Sequence, residues 1–171
     1  MKRKISSLLL SVLLIVSTLI VSSISAGAVI YTEGIYQYTV NNNTATIVGY
    51  KGDSQVADLE IPSTINNYNV VAIGYDAFRG QKNLKTVSIP NTVKEVGYGA
   101  FHDCISLTEI TLPNSVEKVG DFAFSGCTSL KTINFGSGVK SLGKFSFFGC
   151  NSLTSLVIPS NISYLDDSAF A

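Results

Sequence analysis

One histidine, three cysteines, one methionine and no tryptophan stand in a chain of 171 residues, and acidic and basic residues balance at 12 each. These shortages remove whole classes of function. His102 is the only imidazole. It stands two residues before Cys104, but no acidic orienter repeats the arrangement, and Cys104 is expected to point inward and His102 outward, so a thiol nucleophile with its base is not built. Cys104, Cys127 and Cys150 lie in an even row with no fourth ligand, which does not surround a tetrahedral zinc ion. No cofactor or metal motif is present, and the chain reads as not an enzyme. Positive charge is not in surplus either: without Lys2, Arg3 and Lys4, nine basic residues face twelve acidic ones. Nucleic acid would favour a basic face and is excluded as a partner.

What the sequence has is a period. Phe78, Phe101, Phe124, Phe147 and Phe170 stand 23 residues apart at every interval, and their neighbours repeat in register. A fixed spacing of this length marks a solenoid, in which each coil can bury its apolar side only against the next. The apolar series Leu84, Val87, Ile89, Val93, Val96 and Phe101 returns as Leu107, Ile110, Leu112, Val116, Val119 and Phe124. It returns again as Leu130, Ile133, Phe135, Val139, Leu142 and Phe147. The rungs are therefore 56–83, 84–106, 107–129, 130–152 and an incomplete 153–171.

Each rung opens with period-two alternation, which predicts a short strand and, on stacking, a parallel sheet. Proline follows that strand at Pro62, Pro90, Pro113 and Pro159, with Gly136 as the exception, and stops the ladder. A second extended piece (93–96 and its equivalents) comes next. Gly74, Gly97, Gly120 and Gly143 follow it, with Asp166 in the last rung, and predict a tight turn through positive φ. Small-then-Phe after that glycine predicts a helical or 3₁₀ turn on the convex side.

The run Leu-x-x-Val/Ile-x-Ile/Leu-Pro, continued by Val-x-x-Val-Gly-x-x-Ala-Phe-x-x-Cys-x-x-Leu, resembles the BspA-like leucine-rich repeats of bacterial and protozoan surface proteins, over about 56–171. Residues 29–55 look like that family's N-terminal hairpin cap, ending in Gly49-Tyr50-Lys51-Gly52. The resemblance implies a secreted or cell-surface adhesive protein that binds extracellular or host-surface proteins, with no shared catalytic motif. The superfamily's ladder asparagine falls at Thr92, Ser115, Gly138 and Asn161, so one copy alone retains it.

At the N-terminus, Met1-Lys-Arg-Lys4 precedes an apolar stretch from Ile5 to about Ile24, and Ala26-Gly27-Ala28 provides small residues for cleavage. Residues 1–28 read as a secretory signal peptide; an uncleaved anchor is the alternative. In the cap, 34–40 and 44–48 alternate around a three-residue loop, Asn41-Asn42-Asn43. Asn66-Asn67-Tyr68-Asn69 falls in an insertion of the first rung and reads as an exposed loop. The last repeat lacks its closing residues, so the chain is expected to be a fragment of a longer array, a short gene product, or a protein that buries this end against a partner.

The cysteine column reads as buried free thiols, with one disulfide between adjacent rungs as the alternative. Outward strand positions carry Lys85, Thr86 and Ser88, then Thr108, Glu109 and Thr111, then Lys131, Thr132 and Asn134. They predict a polar concave face and are the candidate binding surface, against the plainer reading that strands show short polar side chains to water. Phe122 and Phe145 share one repeat position, either exposed as an apolar patch or packed on each other.

Overall fold

A computed structural model describes the backbone of Ile24–Ser25 and the whole of residues 28–154 and 156–171. Nearly all of the proposed signal segment lies outside the described residues. No helix among the described residues is long and apolar enough to cross a membrane.

The cap holds β1 (Ile24–Ser25), β2 (Ala28–Glu33), β3 (Tyr36–Asn41) and β4 (Thr44–Tyr50), paired antiparallel in that order. It is two strands larger than the predicted hairpin, β1 and β2 being added to it. Its turn is also tighter: Asn41 pairs with Thr44, so only Asn42 and Asn43 lie outside the ladder, at φ 46° and 60°. Two successive left-handed residues make the mirror-image turn whose twist suits paired strands, and asparagine tolerates that region. The same device recurs at Asn66 and Asn67, φ 49° and 67°, between β6 (Thr64–Ile65) and β7 (Tyr68–Ile73). The predicted loop over 66–69 is thus a two-residue turn, with Tyr68 and Asn69 already in a strand.

Two sets of short strands then stack along the rungs, the last rung contributing to the second set alone among its described residues. The first set is β5 (Asp58–Glu60), β8 (Thr86–Ser88), β10 (Glu109–Thr111) and β12 (Thr132–Asn134). The second is β7, β9 (Glu95–Val96), β11 (Lys118–Val119), β13 (Ser141–Leu142) and β14 (Tyr164–Leu165). The second set forms the continuous parallel sheet, aligning Ile73, Val96, Val119, Leu142 and Leu165. The first set pairs only as β5 with β8 and β10 with β12. The two sets also differ at the cap. β4 pairs with β7 in parallel and so joins the cap to the second set, whereas β5 pairs with β8 alone.

Between the sheets the Phe column forms a ladder. Rings of Phe78, Phe101, Phe124, Phe147 and Phe170 stack at 5.2–5.3 Å, with planes within 8° of parallel. Tyr36, T-shaped to Phe78 at 6.5 Å, and Tyr50, tilted against it at 5.7 Å, close the ladder's N-terminal end from the cap. The other core columns are buried in the complete rungs except at the half-buried Phe135, and the last rung leaves Ile158 and Leu165 exposed.

The predicted helical turn is instead a series of β-turns. N–H groups of Ala100, His102 and Cys104 bond three residues back, to Gly97, Gly99 and Phe101. Those of Gly99, Phe101 and Asp103, between them, cross to carbonyls of the next rung at Asp121, Ala123 and Ser125. With every second donor committed to a neighbour, no continuous helical run can form. Two left-handed positions per rung bend the chain: Asp76, Gly99, Phe122 and Phe145 at one, Gly80, Asp103, Gly126 and Gly149 at the other.

The column Gly74, Gly97, Gly120, Gly143 is not at either position, and its residues do not have positive φ. A Cβ on Gly97 would lie 2.8 Å from the Ile73 carbonyl oxygen, and one on Gly120 would lie 2.8 Å from Gly97 C and Tyr98 N. These glycines let one rung's backbone approach the next. Asp166, in the same column, likewise shows no positive φ.

Candidate functional site: a polar strand face over a closed core

The nine outward positions named from the sequence come together on one side of the first strand set. Lys85, Thr86, Ser88, Glu109, Thr111, Lys131, Thr132 and Asn134 are exposed and Thr108 is half-buried, while Val87, Ile110 and Ile133 between them point inward. Parallel register puts Glu109 opposite Thr132 and Thr111 opposite Asn134. Stacking at the strand spacing of about 4.8 Å lets neighbours bond across rungs. Asn134 Nδ2 donates to Glu109 Oε1 at 3.0 Å and to Thr111 Oγ1 at 3.2 Å.

The sequence reading missed the first rung's contribution to this face. Asp58 and Glu60 pair with Thr86 and Ser88, and Thr86 Oγ1 donates to Asp58 Oδ1 at 2.6 Å. Counting back one rung from Thr86 and Ser88, past the five-residue insertion, is the signal that finds them. The face therefore carries acidic, basic and neutral hydrogen-bonding groups in fixed columns. Such a surface suits contact with another polar surface.

The thiols are internal. Cys104, Cys127 and Cys150 are free and buried, and each Sγ donates at 3.3 Å to the carbonyl of Phe78, Phe101 or Phe124 one rung earlier. The column thus supplies a weak donor inside the turn. Burial pushes the Cys104 and Cys150 thiols up to about 12 and the Cys127 thiol higher still, which removes nucleophilicity at neutral pH. Because the folded values lie above that of an unfolded thiol, about 8.5, the protonated thiols favour folding fully below that pH. That contribution falls as pH rises from about 9 toward 12. Alkylation by iodoacetamide at pH 8 is expected to be slow in the native protein and fast in urea; rapid native labelling would contradict the burial.

His102 is half-buried with Nε2 3.6 Å from Asp103 Oδ1, and Cys104 bonds to a backbone carbonyl instead of to it. No group of three or more His, Cys, Asp and Glu side chains able to hold a metal occurs among the described residues. Asn161 still acts as a ladder residue, its Nδ2 donating at 2.7 Å to carbonyls of Ser137 and Val139.

Outside the strand face, one feature was half visible. Phe122 and Phe145 lie 5.2 Å apart, partly exposed, and join Tyr98 and Phe148 in a surface row.

This architecture has close counterparts. The leucine-rich repeat protein of T. pallidum is 30% identical, with a TM-score of 0.76, over 81% of this chain and 65% of its own. A leucine-rich cell surface protein of Faecalibacterium prausnitzii is also 30% identical, with a TM-score of 0.65, over 82% and 45%. A leucine-rich repeat protein of Eubacterium ventriosum is 28% identical, with a TM-score of 0.65, over 80% and 39%. The chain thus spans less than two thirds of the length of each of these. No curated protein sequence matches. Residues 49–171 match the BspA type leucine-rich repeat region in six copies, beginning inside β4. The chain belongs to the BspA-type leucine-rich repeat family.

Proposed function

We propose that this protein is an extracellular, non-catalytic binding module that contacts surface proteins of a host or neighbouring cell through the polar strand face. The observation that carries the proposal is the set of exposed, mutually hydrogen-bonded columns on β5, β8, β10 and β12, held in register by a core filled with side chains. A rigid scaffold needs little ordering on association, so its polar contacts are retained as affinity. The cell-surface location of the Faecalibacterium relative supports the extracellular setting.

Binding to immobilised matrix proteins tests the proposal. Replacing Lys85, Glu109 and Lys131 together by alanine is expected to weaken binding at least tenfold while leaving the melting temperature unchanged, since all three are exposed. Equal binding by the triple variant would overturn it. A second reading, a repeat module within a larger extracellular polypeptide, is favoured by the greater length of the relatives. An enzyme domain or wall anchor encoded beyond residue 171 would support that reading.

A further inference from the structure

A row of aromatic side chains crosses four rungs on the turn side of the solenoid, away from the first strand set. Tyr75 stacks on Tyr98 at 5.0 Å, Tyr98 meets Phe122 at 5.5 Å, Phe122 meets Phe145 at 5.2 Å, and Phe148 stands edge-on to Phe145 at 5.6 Å. Tyr75 is 65% exposed and Phe148 47%, values unlike those of the core ladder beneath. An apolar row of this length on a soluble face marks a contact surface.

The backbone makes the point independently. Phe122 and Phe145 are left-handed, at φ 56° and 54°, where the two preceding rungs place Asp76 and Gly99. Aspartate and glycine are suited to that region; a bulky side chain there is an outlier that the surrounding fold must hold. The chain carries this strain twice in adjacent rungs, and what it gains is two aromatic rings at the surface. Strain held at a surface aromatic pair points to function.

Shape and charge indicate the occupant. Phe122, Phe145 and Phe148 line a shallow, open notch of about 110 Å³. Small-molecule pockets begin near about 300 Å³, so this notch suits one side chain and not a whole ligand. Tyr75 and Tyr98, 6° from parallel, hide faces in their own stack, which leaves a poor platform for the faces of bases or sugars. At the rim, Lys144 Nζ lies 5.1 Å from the centroid of the Phe145 ring. Lys144, like Lys51, Lys82, Lys85, Lys94 and Lys131, has no carboxylate within 4.0 Å among the described residues, though its charge helps to hold the Asp166 carboxyl below the usual range; what sets it apart from those lysines is its place over Phe145. Its neighbour Asp121 instead accepts the Lys144 backbone N–H.

We propose that this row is a second docking surface, for a protein that inserts one aliphatic side chain between Phe122, Phe145 and Phe148 and sets a carboxylate against Lys144. It is separate from the strand face, so either can fail without the other.

A random 12-residue peptide library displayed on phage, panned against the secreted chain, tests it. Enriched peptides are expected to share an aliphatic residue flanked by Asp or Glu. Synthetic copies should lose at least tenfold in affinity on Phe148→Ala and on Lys144→Glu, and none on the Lys85, Glu109, Lys131 triple alanine variant. The Phe122→Gly, Phe145→Gly double variant should melt within a few degrees of the parent, because glycine relieves the backbone, and should no longer bind. Failure to enrich such peptides, or binding that survives Phe148→Ala, would overturn the proposal. So would unfolding of the double glycine variant, which would make the pair structural, or a dimer in light scattering that Phe148→Ala abolishes, which would make the occupant a second copy.

Discussion

Phe124→Ala is expected to cost about 3–5 kcal/mol, the usual range for a fully buried aromatic truncated to alanine. Phe124 has no exposed surface, and its ring lies 5.3 Å from Phe101 and 5.2 Å from Phe147. Truncation removes the buried ring, opens a cavity and breaks two stacks worth about 0.5–1.5 kcal/mol each beyond their area. Its position adds a second effect. In a solenoid each rung is held by its neighbours, so weakening a middle rung uncouples the two ends. Denaturant unfolding should shift to a lower midpoint and broaden, while Phe148→Ala, at the exposed row, should shift it little. A loss below about 1 kcal/mol for Phe124→Ala would mean that the ladder is not the core.

The second large effect separates two kinds of glycine. Gly120→Ala sets a Cβ 2.8 Å from two backbone atoms of the preceding rung, and backbone cannot move aside as a side-chain tip can. Overpacking of this sort costs about 1–3 kcal/mol, and Gly120→Asp should cost more because its larger side chain meets the same wall. Gly80 is different: at φ 73° it has nothing within 4 Å of an added Cβ. Gly80→Ala should cost about 1–2 kcal/mol through the left-handed backbone alone. Gly80→Asp should recover much of that, because Asp103 holds the equivalent place at φ 60° in the next rung. Chemical denaturation of the four variants decides it. Were aspartate tolerated equally at 80 and 120, close approach between rungs would not explain the Gly120 column.

The period was legible because the rungs after the first keep one register, so spacing alone assigns the columns of Leu, Val and Phe to the core. The purpose of the glycine column was not legible. Tight turns and close backbone approach both select glycine, and only the position of the neighbouring rung distinguishes them. The left-handed turn position was hidden for a related reason: Asp76, Gly99, Phe122 and Phe145 share it, and two phenylalanines conceal a preference that asparagine or glycine would have announced. Strand β2 was hidden too, since it begins within the small residues read as a cleavage site. Aligning rungs also split the aromatic row. Tyr75 and Tyr98 belong to one column, Phe122 and Phe145 to the next and Phe148 to a third, and only folding joins them.

The polar strand face was found from the sequence because alternation at period two sorts inward from outward residues directly. Its partner was not, since short polar side chains in columns specify a kind of contact and not a ligand. Amide hydrogen exchange of the chain, free and bound to a matrix protein that it captures, tests the central claim most directly. Protection concentrated at 85–88, 108–111 and 131–134, with the second strand set unchanged, is the predicted result. Protection spread evenly over both strand sets, or absent from those three segments, would contradict it.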